Sequence, residues 1–416
     1  MAEGGGRGVV SLETTFSLEL PHIVFGPGSS SDTGAHLTRL GVMRALLVCD
    51  PHVVSSGVTG RIQEELGAAG IATGVFDRIA GEPTEASIAV AIEAATSGGW
   101  DGFVGVGGGS ALDTAKLCAL FATHGGGVFD YLNTPIGEGR QVPGPVLPLV
   151  ALPTTSGTGS EVTTVAIVDV GVKSGISHRH LRPRIAIVDP LLTLSCPPGV
   201  TAATGLDALL HALEGYTTLP YDRRPKLPPA ERPPYQGAHP MADLLCAKAI
   251  GLVGASLRRA VADGTDVAAR SDMALASTIA GVGFGSAGVH IPHALSYPIA
   301  SLKHAWSPPD YGGATYVPHG FACAVTAAAS FRFVQAAAPE RCREAARLID
   351  GGDDLSESFL ALAREVEAPT TVSEVGYDAS DIPAIVEGSL KQQRLLVNAP
   401  VPVDAVALES ILRDSL

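Results

Sequence analysis

Residues 101–116 have the sequence DGFVGVGGGSALDTAK, in which an apolar strand runs into three glycines and then into a helix. Gly107, Gly108 and Gly109 allow a sharp turn that brings backbone N–H groups close to an anion. The partial positive charge at the helix N-terminus adds to this attraction, so the pattern predicts a phosphate-binding loop. The same glycines would also suit a simple tight turn. We predict Ser110 as the N-cap of the helix, with Asp113 completing a capping box.

A second loop of similar character lies at residues 152–161, LPTTSGTGSE, directly after another apolar run. Its hydroxyl side chains and free amides suit the phosphates and ribose of a nucleotide, although a Ser/Thr turn is the simpler explanation. Two such loops at the carboxyl ends of neighbouring parallel strands predict a dinucleotide crevice. Asp50 follows a third apolar run, where a carboxylate can bind ribose hydroxyls and repel a 2′-phosphate. This favours NAD over NADP, and a turn Asp is the alternative.

Up to residue 195, short apolar runs alternate with amphipathic stretches, a pattern typical of a parallel sheet covered by helices on both faces. The predicted strands are 45–49, 74–76, 102–106, 149–152 and 185–188, and the predicted helices between them include 60–69 and 86–95. Beyond residue 196, Ala- and Leu-rich segments predict helices at 204–216, 242–262, 267–281, 340–349 and 355–365. Residues 219–240 hold 7 of the 30 prolines and predict an extended segment. We therefore predict an α/β, Rossmann-like nucleotide-binding domain over residues 1–195 and an all-α domain over residues 196–416.

The composition restricts the classes of function. Acidic residues outnumber basic ones by 42 to 28 in 416 residues, and the formal charge of −14 argues against nucleic-acid binding as the main function. The six cysteines lie far apart with no C-x-x-C pair, which predicts buried thiols of a reducing compartment rather than a thiolate metal site. The uncharged runs 141–160 and 273–289 favour buried core over a membrane span. Residues 1–10 lack the pattern of a signal or transit peptide, so we predict a cytoplasmic protein.

A group of metal-binding residue types lies in the helical half. Asp207 and His211 are four residues apart in an apolar segment, so they would share one helix face. His290, His293 and His319 follow in apolar, glycine-rich surroundings. Each alone is more typical of a core or surface residue, but several of them together with Asp207 could close around a divalent cation. One carboxylate with imidazoles suits Fe²⁺ or Zn²⁺.

In their order and spacing, these motifs resemble the iron-containing alcohol dehydrogenase family along nearly the whole chain. The phrases RPPYQG (232–237), AGVGFG (280–285) and HALSYP (293–298) are similar to its hydroxyacid–oxoacid transhydrogenase branch. The resemblance implies the dehydroquinate-synthase-like fold, NAD(H) as cofactor and a divalent metal, with Fe²⁺ favoured over Zn²⁺. The metal ligands that it implies are Asp207, His211, His293 and His319. The cofactor contacts that it implies are Asp50, Gly107, Gly108, Ser110, Thr154, Thr155, Thr158 and Lys173.

The proton relay is the main departure from the pattern of the family. Many members have a histidine where Tyr297 stands, four residues after His293. The candidates for catalytic proton transfer are therefore Tyr297, His290 or a bound water.

The resemblance implies an enzyme that transfers a hydride between NAD(H) and a small alcohol/aldehyde or hydroxy acid/oxo acid, with the metal polarising the substrate oxygen. A transhydrogenase that retains its NAD, a dehydroquinate-synthase-like lyase and a non-catalytic binding protein are the alternatives. An acidic substrate requires a cation, for which Lys303, His304 or a nearby Arg is a candidate, although this region could equally be a solvated lid. We expect a small-molecule substrate, neither nucleic acid nor membrane as a partner, and a homo-oligomer as an option.

Overall fold

The computed structural model describes residues 11–79, 81, 83–303 and 305–416. Its strands are β1 (His22–Phe25), β2 (Arg44–Cys49), β3 (Ala72–Phe76), β4 (Gly102–Gly107), β5 (Leu149–Pro153), β6 (Val165–Asp169), β7 (Lys173–Ser177) and β8 (Ile185–Val188). Its helices in the first half are α1 (Thr33–Arg39), α2 (Pro51–Ser55), α3 (Val58–Ala68), α4 (Glu85–Ser97), α5 (Gly109–His124) and α6 (Val128–Tyr131). Those in the second half are α7 (Pro198–Thr217), α8 (Pro240–Ala262), α9 (Val267–Ala287), α10 (Ile291–Leu302), α11 (His319–Gln335), α12 (Pro339–Asp350), α13 (Leu355–Glu365), α14 (Ile382–Leu390), α15 (Gln393–Leu396) and α16 (Ala405–Arg413).

The first half of the chain is built on a parallel sheet with the strand order β1-β8-β5-β4-β2-β3. The chain passes from β2 outward to β3, but from β4 it continues in the opposite direction to β5, so the strand order reverses between β2 and β4. Parallel pairing sets Cys49 opposite Val106 and Gly107 opposite Pro153. The carboxyl ends of β2, β4 and β5 therefore lie side by side, at the position where open α/β sheets bind ligands.

The sheet strands are apolar along their length because both faces of the sheet are covered. Leu47 and Val104 belong to the core on one face, whereas their neighbours Leu46 and Phe103 belong to the core on the other. Continuous apolar runs of this kind are typical of buried parallel strands. This explains why the sequence located β2, β4, β5 and β8 to within one residue at each end.

Helices α7, α8 and α9 pack against one another at the centre of the helical half. Helix α7 is buried on all sides from Gly205 to Thr217. Helix α8 is long and apolar enough to cross a membrane by length and composition alone, but its Cys246 and Ile250 lie in the same core as α7. The predicted fold class, an α/β first half followed by a helical second half, is confirmed.

Several elements were not predicted from the sequence. Strand β1 is short and only partly buried, and the antiparallel hairpin of β6 and β7 lies outside the main sheet. Helices α10 and α11 contain His293 and His319, which the sequence placed only in glycine-rich surroundings. The proline-dense segment was predicted to be extended; it contains two short 3-10 turns, Tyr221–Arg223 and Pro229–Glu231, and its Pro225 pairs with Leu12.

Candidate active site

The two predicted nucleotide loops meet at the carboxyl ends of β4 and β5. The Thr154 N–H donates to the Gly107 carbonyl oxygen at 3.0 Å. Asp50 follows β2 and caps α2 by accepting from the Val53 N–H at 2.9 Å. A Cβ atom at Gly107 would lie 2.7 Å from the Asp50 carboxylate and 2.6 Å from the Ala111 side chain. Glycine is therefore required here because three chain segments approach one another closely.

Helix α5 begins two residues earlier than predicted. Its N-cap is Gly108, and Ser110 lies in the first turn with its hydroxyl donating to the Gly81 carbonyl oxygen at 2.6 Å. Asp113 does not form a capping box; it accepts from the Ser160 hydroxyl at 2.5 Å and from the Ile167 N–H at 2.9 Å. The predicted N-cap was wrong because both side chains bond to other segments instead of to the helix end.

A buried lysine holds the Thr-rich loop against α5. The Lys116 ammonium, with no exposed surface, donates to the Ser160 hydroxyl at 2.7 Å, the Thr163 hydroxyl at 3.2 Å and the Val165 carbonyl oxygen at 2.6 Å. Its charge is balanced by Asp113 at 3.5 Å. Burial lowers the pKa of Lys116, whereas the Asp113 carboxylate raises it. This polar cluster fixes the second loop in place.

A cavity of about 220 Å³, here called the nucleotide cavity, opens between these loops and the helical half. Its lining includes five of the predicted cofactor residues, namely Gly108, Ser110, Thr155, Thr158 and Lys173. Asp50, Gly107 and Thr154 are not part of this lining. The structure thus brings the eight predicted residues to one region, five of them on the cavity wall.

The four predicted metal ligands come together from three helices. Helix α7 carries Asp207 and His211, α10 carries His293 and α11 carries His319. The Asp207 Oδ1 atom lies 3.7 Å from His211 Nδ1, 3.6 Å from His293 Nε2 and 3.8 Å from His319 Nε2. Within the described part of the chain, Asp207 Oδ1 and His293 Nε2 are buried without a hydrogen-bond partner. Buried polar atoms are costly when unpaired, so the donor set fits a divalent cation.

Cys323 is a fifth potential ligand that the sequence did not suggest. It lies one turn after His319 on α11, and its Sγ atom is 3.9 Å from His319 Nε2. Together with Asp207 and His293 these two residues form a group whose ligand atoms lie within 4.8 Å of one another. The four-residue spacing from His319 was the available signal. The geometry thus adds Cys323 to the residues that could ligate a metal, in a group that does not include His211.

Glu214 orients the imidazole of His293. Its carboxylate, with no exposed surface, accepts from His293 Nδ1 at 2.5 Å and from the His290 N–H at 2.5 Å. A carboxylate that binds one ring nitrogen directs the other toward a metal. The spacing of Asp207, His211 and Glu214 by four and three residues on α7 is a sequence signal for this role.

The protonation states suit metal binding. Burial lowers the pKa of His211 to about 4 and that of His319 to about 3, so both imidazoles are neutral at pH 7. Burial alone would raise the pKa of Asp207, but the surrounding histidines hold it well below its usual range. The pKa of His293 is raised: burial opposes its charge, but Cys323, Glu214 and Asp207 outweigh that effect. A cation would therefore displace a proton from His293 on binding.

The two candidate residues for the proton relay, His290 and Tyr297, have different surroundings. His290 is completely buried, with Nε2 3.0 Å from the Thr217 hydroxyl and Nδ1 accepting from the Ile291 N–H at 2.8 Å. It contacts Glu214 and is absent from the lining of the cavities at the metal ligands. Tyr297 does line them, and its hydroxyl accepts from Arg394 Nη2 at 3.0 Å. The geometry therefore favours Tyr297 over His290 as the candidate for proton transfer, because only Tyr297 reaches the two cavities.

A second cavity of about 100 Å³, the metal cavity, lies over the metal ligands. It shares Tyr297, His319 and Thr158 with the nucleotide cavity, so the two meet at these side chains. Thr163 and Gly285 of the metal cavity also line a groove of about 690 Å³, the outer groove, which runs along the proline-dense segment.

Comparison with known proteins identifies the family. Residues 21–190 match the family model for iron-containing alcohol dehydrogenase, and residues 235–416 match that for the C-terminal part of the Fe-containing alcohol dehydrogenase family. The chain belongs to the iron-containing alcohol dehydrogenase family. It is therefore a metal-dependent oxidoreductase, as predicted.

Individual relatives extend over nearly the whole chain. The mitochondrial hydroxyacid-oxoacid transhydrogenase of Bos taurus is 38% identical over 98% of this chain and 91% of its own length. A crystal structure of 1,3-propanediol oxidoreductase superimposes with a TM-score of 0.85 at 28% identity, covering 97% of this chain and 100% of the other. Sulfoacetaldehyde reductase from Bifidobacterium kashiwanohense, solved with NAD⁺, gives a TM-score of 0.81 at 29% identity over 97% and 99%. The alcohol dehydrogenase fold and the likeness to the transhydrogenase branch are confirmed.

The predicted cytoplasmic location is wrong. The transhydrogenase relatives are mitochondrial by name, including those of Bos taurus and Homo sapiens. The prediction rested on the composition of residues 1–10, which lie outside the described residues. A missing leader pattern in so short a stretch does not determine the compartment of a protein.

Proposed function

We propose that this protein transfers a hydride between NAD(H) and a small alcohol/aldehyde or a hydroxy acid/oxo acid. NAD(H) would occupy the nucleotide cavity, and a divalent metal, Fe²⁺ in preference to Zn²⁺, would be held by Asp207, His211, His293 and His319. The observation that carries the proposal is the meeting of the nucleotide cavity with the metal cavity at Tyr297 and His319. This contact allows a cofactor ring and a substrate oxygen to lie side by side.

When bound, the metal supplies a Lewis acid for the substrate oxygen, and the nicotinamide supplies or accepts the hydride. The residues of this chain prepare that chemistry. Asp207 contributes one negative charge, and Glu214 directs His293 Nε2 into the site. The apolar walls Ile167 and Phe284 restrict water at the reacting atoms.

Tyr297 is the proposed proton donor. Its hydroxyl accepts a hydrogen bond from Arg394, which leaves its own proton free to point toward the boundary between the two cavities. Tyr297 also lies one helical turn after His293 on α10, so the proposed donor and a proposed ligand share one helix face. In this protein a tyrosine would thus take the place of the histidine that many family members have.

The test is a screen of small aldehydes and oxo acids with metal-replete enzyme, followed by the loss of NADH absorbance, with metal analysis of the same sample. Asp207→Asn should abolish both metal binding and turnover. Asp353→Asn is the control, because Asp353 is an exposed carboxylate that pairs only with Arg347 among the described residues. Metal-replete wild-type protein that reduces none of these compounds would contradict the proposal.

A second candidate is transhydrogenation with retained NAD, which the identity of 38% to the Bos taurus enzyme favours. A retained cofactor would be reduced by a hydroxy acid and reoxidised by an oxo acid. Turnover of such a pair without added NAD, with NAD recovered from the denatured enzyme, would support this candidate. A strict requirement for free NADH would support the ordinary reductase.

We further propose that the two domains divide near residue 196. The division is supported by the core of the helical half, whose members lie between residues 202 and 412. The charge of −14 supports a protein without a nucleic-acid partner, and we propose that no membrane is involved. A homo-oligomer remains a prediction, which light scattering of the purified protein would test.

A further inference from the structure

The metal cavity is lined by one positively charged side chain that has no role in the proposed metal or cofactor sites. Among the described residues that line this cavity, Arg394 is the only lysine or arginine. It belongs to α15, which packs against α10. Its Nη2 atom donates to the Tyr297 hydroxyl at 3.0 Å, so a single side chain separates it from the metal ligands on α10 and α11.

Arg394 has no carboxylate partner in the described part of the chain, where no ion pair involves it. Burial alone would lower the pKa of Arg394, but its contacts with Tyr297 and Tyr235 raise it on balance. A guanidinium therefore remains charged here, with neutral hydroxyls as neighbours. A half-buried cation normally acquires an anionic partner, because desolvation without one is costly.

The other lysine and histidine candidates are paired with a carboxylate, lie outside the metal cavity or fall outside the described residues. Lys303, which the sequence suggested for an acidic substrate, pairs with Asp381 at 2.5 Å and does not line the metal cavity. His304 lies outside the described residues. Lys116 is paired with Asp113, and Lys173 lines the nucleotide cavity. Arg394 is left as the cation that faces the substrate side.

We propose that the Arg394 guanidinium binds the carboxylate of a hydroxy acid or oxo acid whose reacting carbon lies toward His293 and His319. The planar guanidinium matches a carboxylate with two parallel N–H···O bonds, and one of its N–H groups remains on Tyr297. Substrate and proposed proton donor would thus be positioned by the same side chain. The inference rests on the oxidoreductase function proposed above and assigns the residue that would bind the carboxylate of its acid substrates.

The experiment compares wild-type enzyme with Arg394→Met, Arg394→Lys and Lys303→Met, all metal-replete. The substrates are unbranched aldehyde acids of increasing length, each paired with the neutral aldehyde of equal carbon number, and the readout is the loss of NADH absorbance. NAD binding and thermal melting are measured for each variant, so that a variant that fails to fold is recognised. Arg394→Lys keeps the charge and the packing of the stem if Arg394→Met does not fold.

Wild-type enzyme should prefer the acid in the best pair. Arg394→Met should lower kcat/KM for that acid by roughly 30-fold or more, mainly through KM, because a desolvated ion pair is lost. The neutral aldehyde should lose much less, Arg394→Lys should fall between, and Lys303→Met should keep the preference. Equal losses for acid and aldehyde would overturn the proposal, since Arg394 would then only position Tyr297. Loss of the preference in Lys303→Met would overturn it as well.

The two proposals fail in different ways. A wild-type enzyme that reduces neutral aldehydes but shows no preference for acids overturns the role of Arg394 and leaves the proposed oxidoreductase function standing. A metal-replete wild-type enzyme that reduces neither class overturns the proposed function, and the role of Arg394 with it.

Discussion

Replacing Glu214 by glutamine should weaken metal binding although none of the proposed ligands is replaced. Two donors, His293 Nδ1 and the His290 backbone N–H, each meet one carboxylate oxygen of Glu214 at 2.5 Å. A glutamine offers only one oxygen, and its NH₂ group must face one of these donors. Glu214→Gln therefore keeps the shape of the side chain but cannot satisfy both contacts.

Each orientation of the new amide has a cost. If its NH₂ group faces His293, the ring must accept at Nδ1, so its proton moves to Nε2 and blocks the ligand position. If the NH₂ group faces the His290 N–H, a buried donor is left unpaired at a cost of about 1–3 kcal/mol. We expect the metal affinity to fall about 10–100-fold, the usual effect of losing a group that orients a ligand, which corresponds to about 1.4–2.8 kcal/mol.

The assay is competition for Fe²⁺ or Zn²⁺ against a chelator of known affinity, with melting of the metal-free protein in parallel. Glu161→Gln is the matched control, because Glu161 is equally buried but accepts from the Thr278 hydroxyl, at 2.9 Å, away from the metal ligands. That variant should bind metal like the wild type. The reasoning is refuted if Glu214→Gln binds metal as tightly as the wild type, or if both variants lose the same affinity.

Three further predictions concern the nucleotide loop, the buried lysine and pH. Gly107→Ala should weaken NAD binding in a fluorescence titration, because its Cβ would lie 2.6 Å from a side chain of the following helix; Gly60→Ala, with open space at its Cβ, should bind NAD normally. Lys116→Met should lower the free energy of unfolding by about 3–5 kcal/mol in denaturant titrations, because it leaves the Asp113 carboxylate buried without its counter-ion; the double variant with Asp113→Asn should recover part of this loss. Burial lowers the pKa of His290 from 6.5 to about 4, so between these values the unfolded chain binds more protons and stability falls as the pH falls. His290→Asn should lose less stability than the wild type between about pH 7 and about pH 5, and an equal loss would contradict the assignment.

The sequence predicted the main sheet and several long helices because their apolar patterns are continuous. Helix α13 has the predicted bounds, and β8 was located as four consecutive apolar residues. The hairpin of β6 and β7 was missed because residues such as Lys173 and Ser174 are buried polar groups, which carry no apolar pattern. The start of α5 was misplaced because Ser110 and Asp113 bond to distant segments, and local sequence does not report such partners.

The residues of the candidate site can also be divided into those that the sequence predicted and those that it could not. Asp207 and His211 were predicted because their spacing places them on one helix face, whereas His290 has the same residue type as the proposed ligands but points to Thr217. Arg394 could not be found locally, since it is 97 positions from Tyr297 in the chain and has no motif around it. Its proposed role depends on a tertiary contact that only the folded chain creates.

The outer groove bears on the order in which ligands bind and dissociate. It shares Thr163 and Gly285 with the metal cavity, whereas the nucleotide cavity shares Tyr297 and His319 with it. In a site with a single opening, the first ligand must dissociate before the second can enter. If the outer groove and the nucleotide cavity give the metal cavity separate openings, the proposed acid substrates would exchange through the groove while the dinucleotide stays bound. A dinucleotide held in this way would act as a prosthetic group, cycling between its two redox states without leaving the protein.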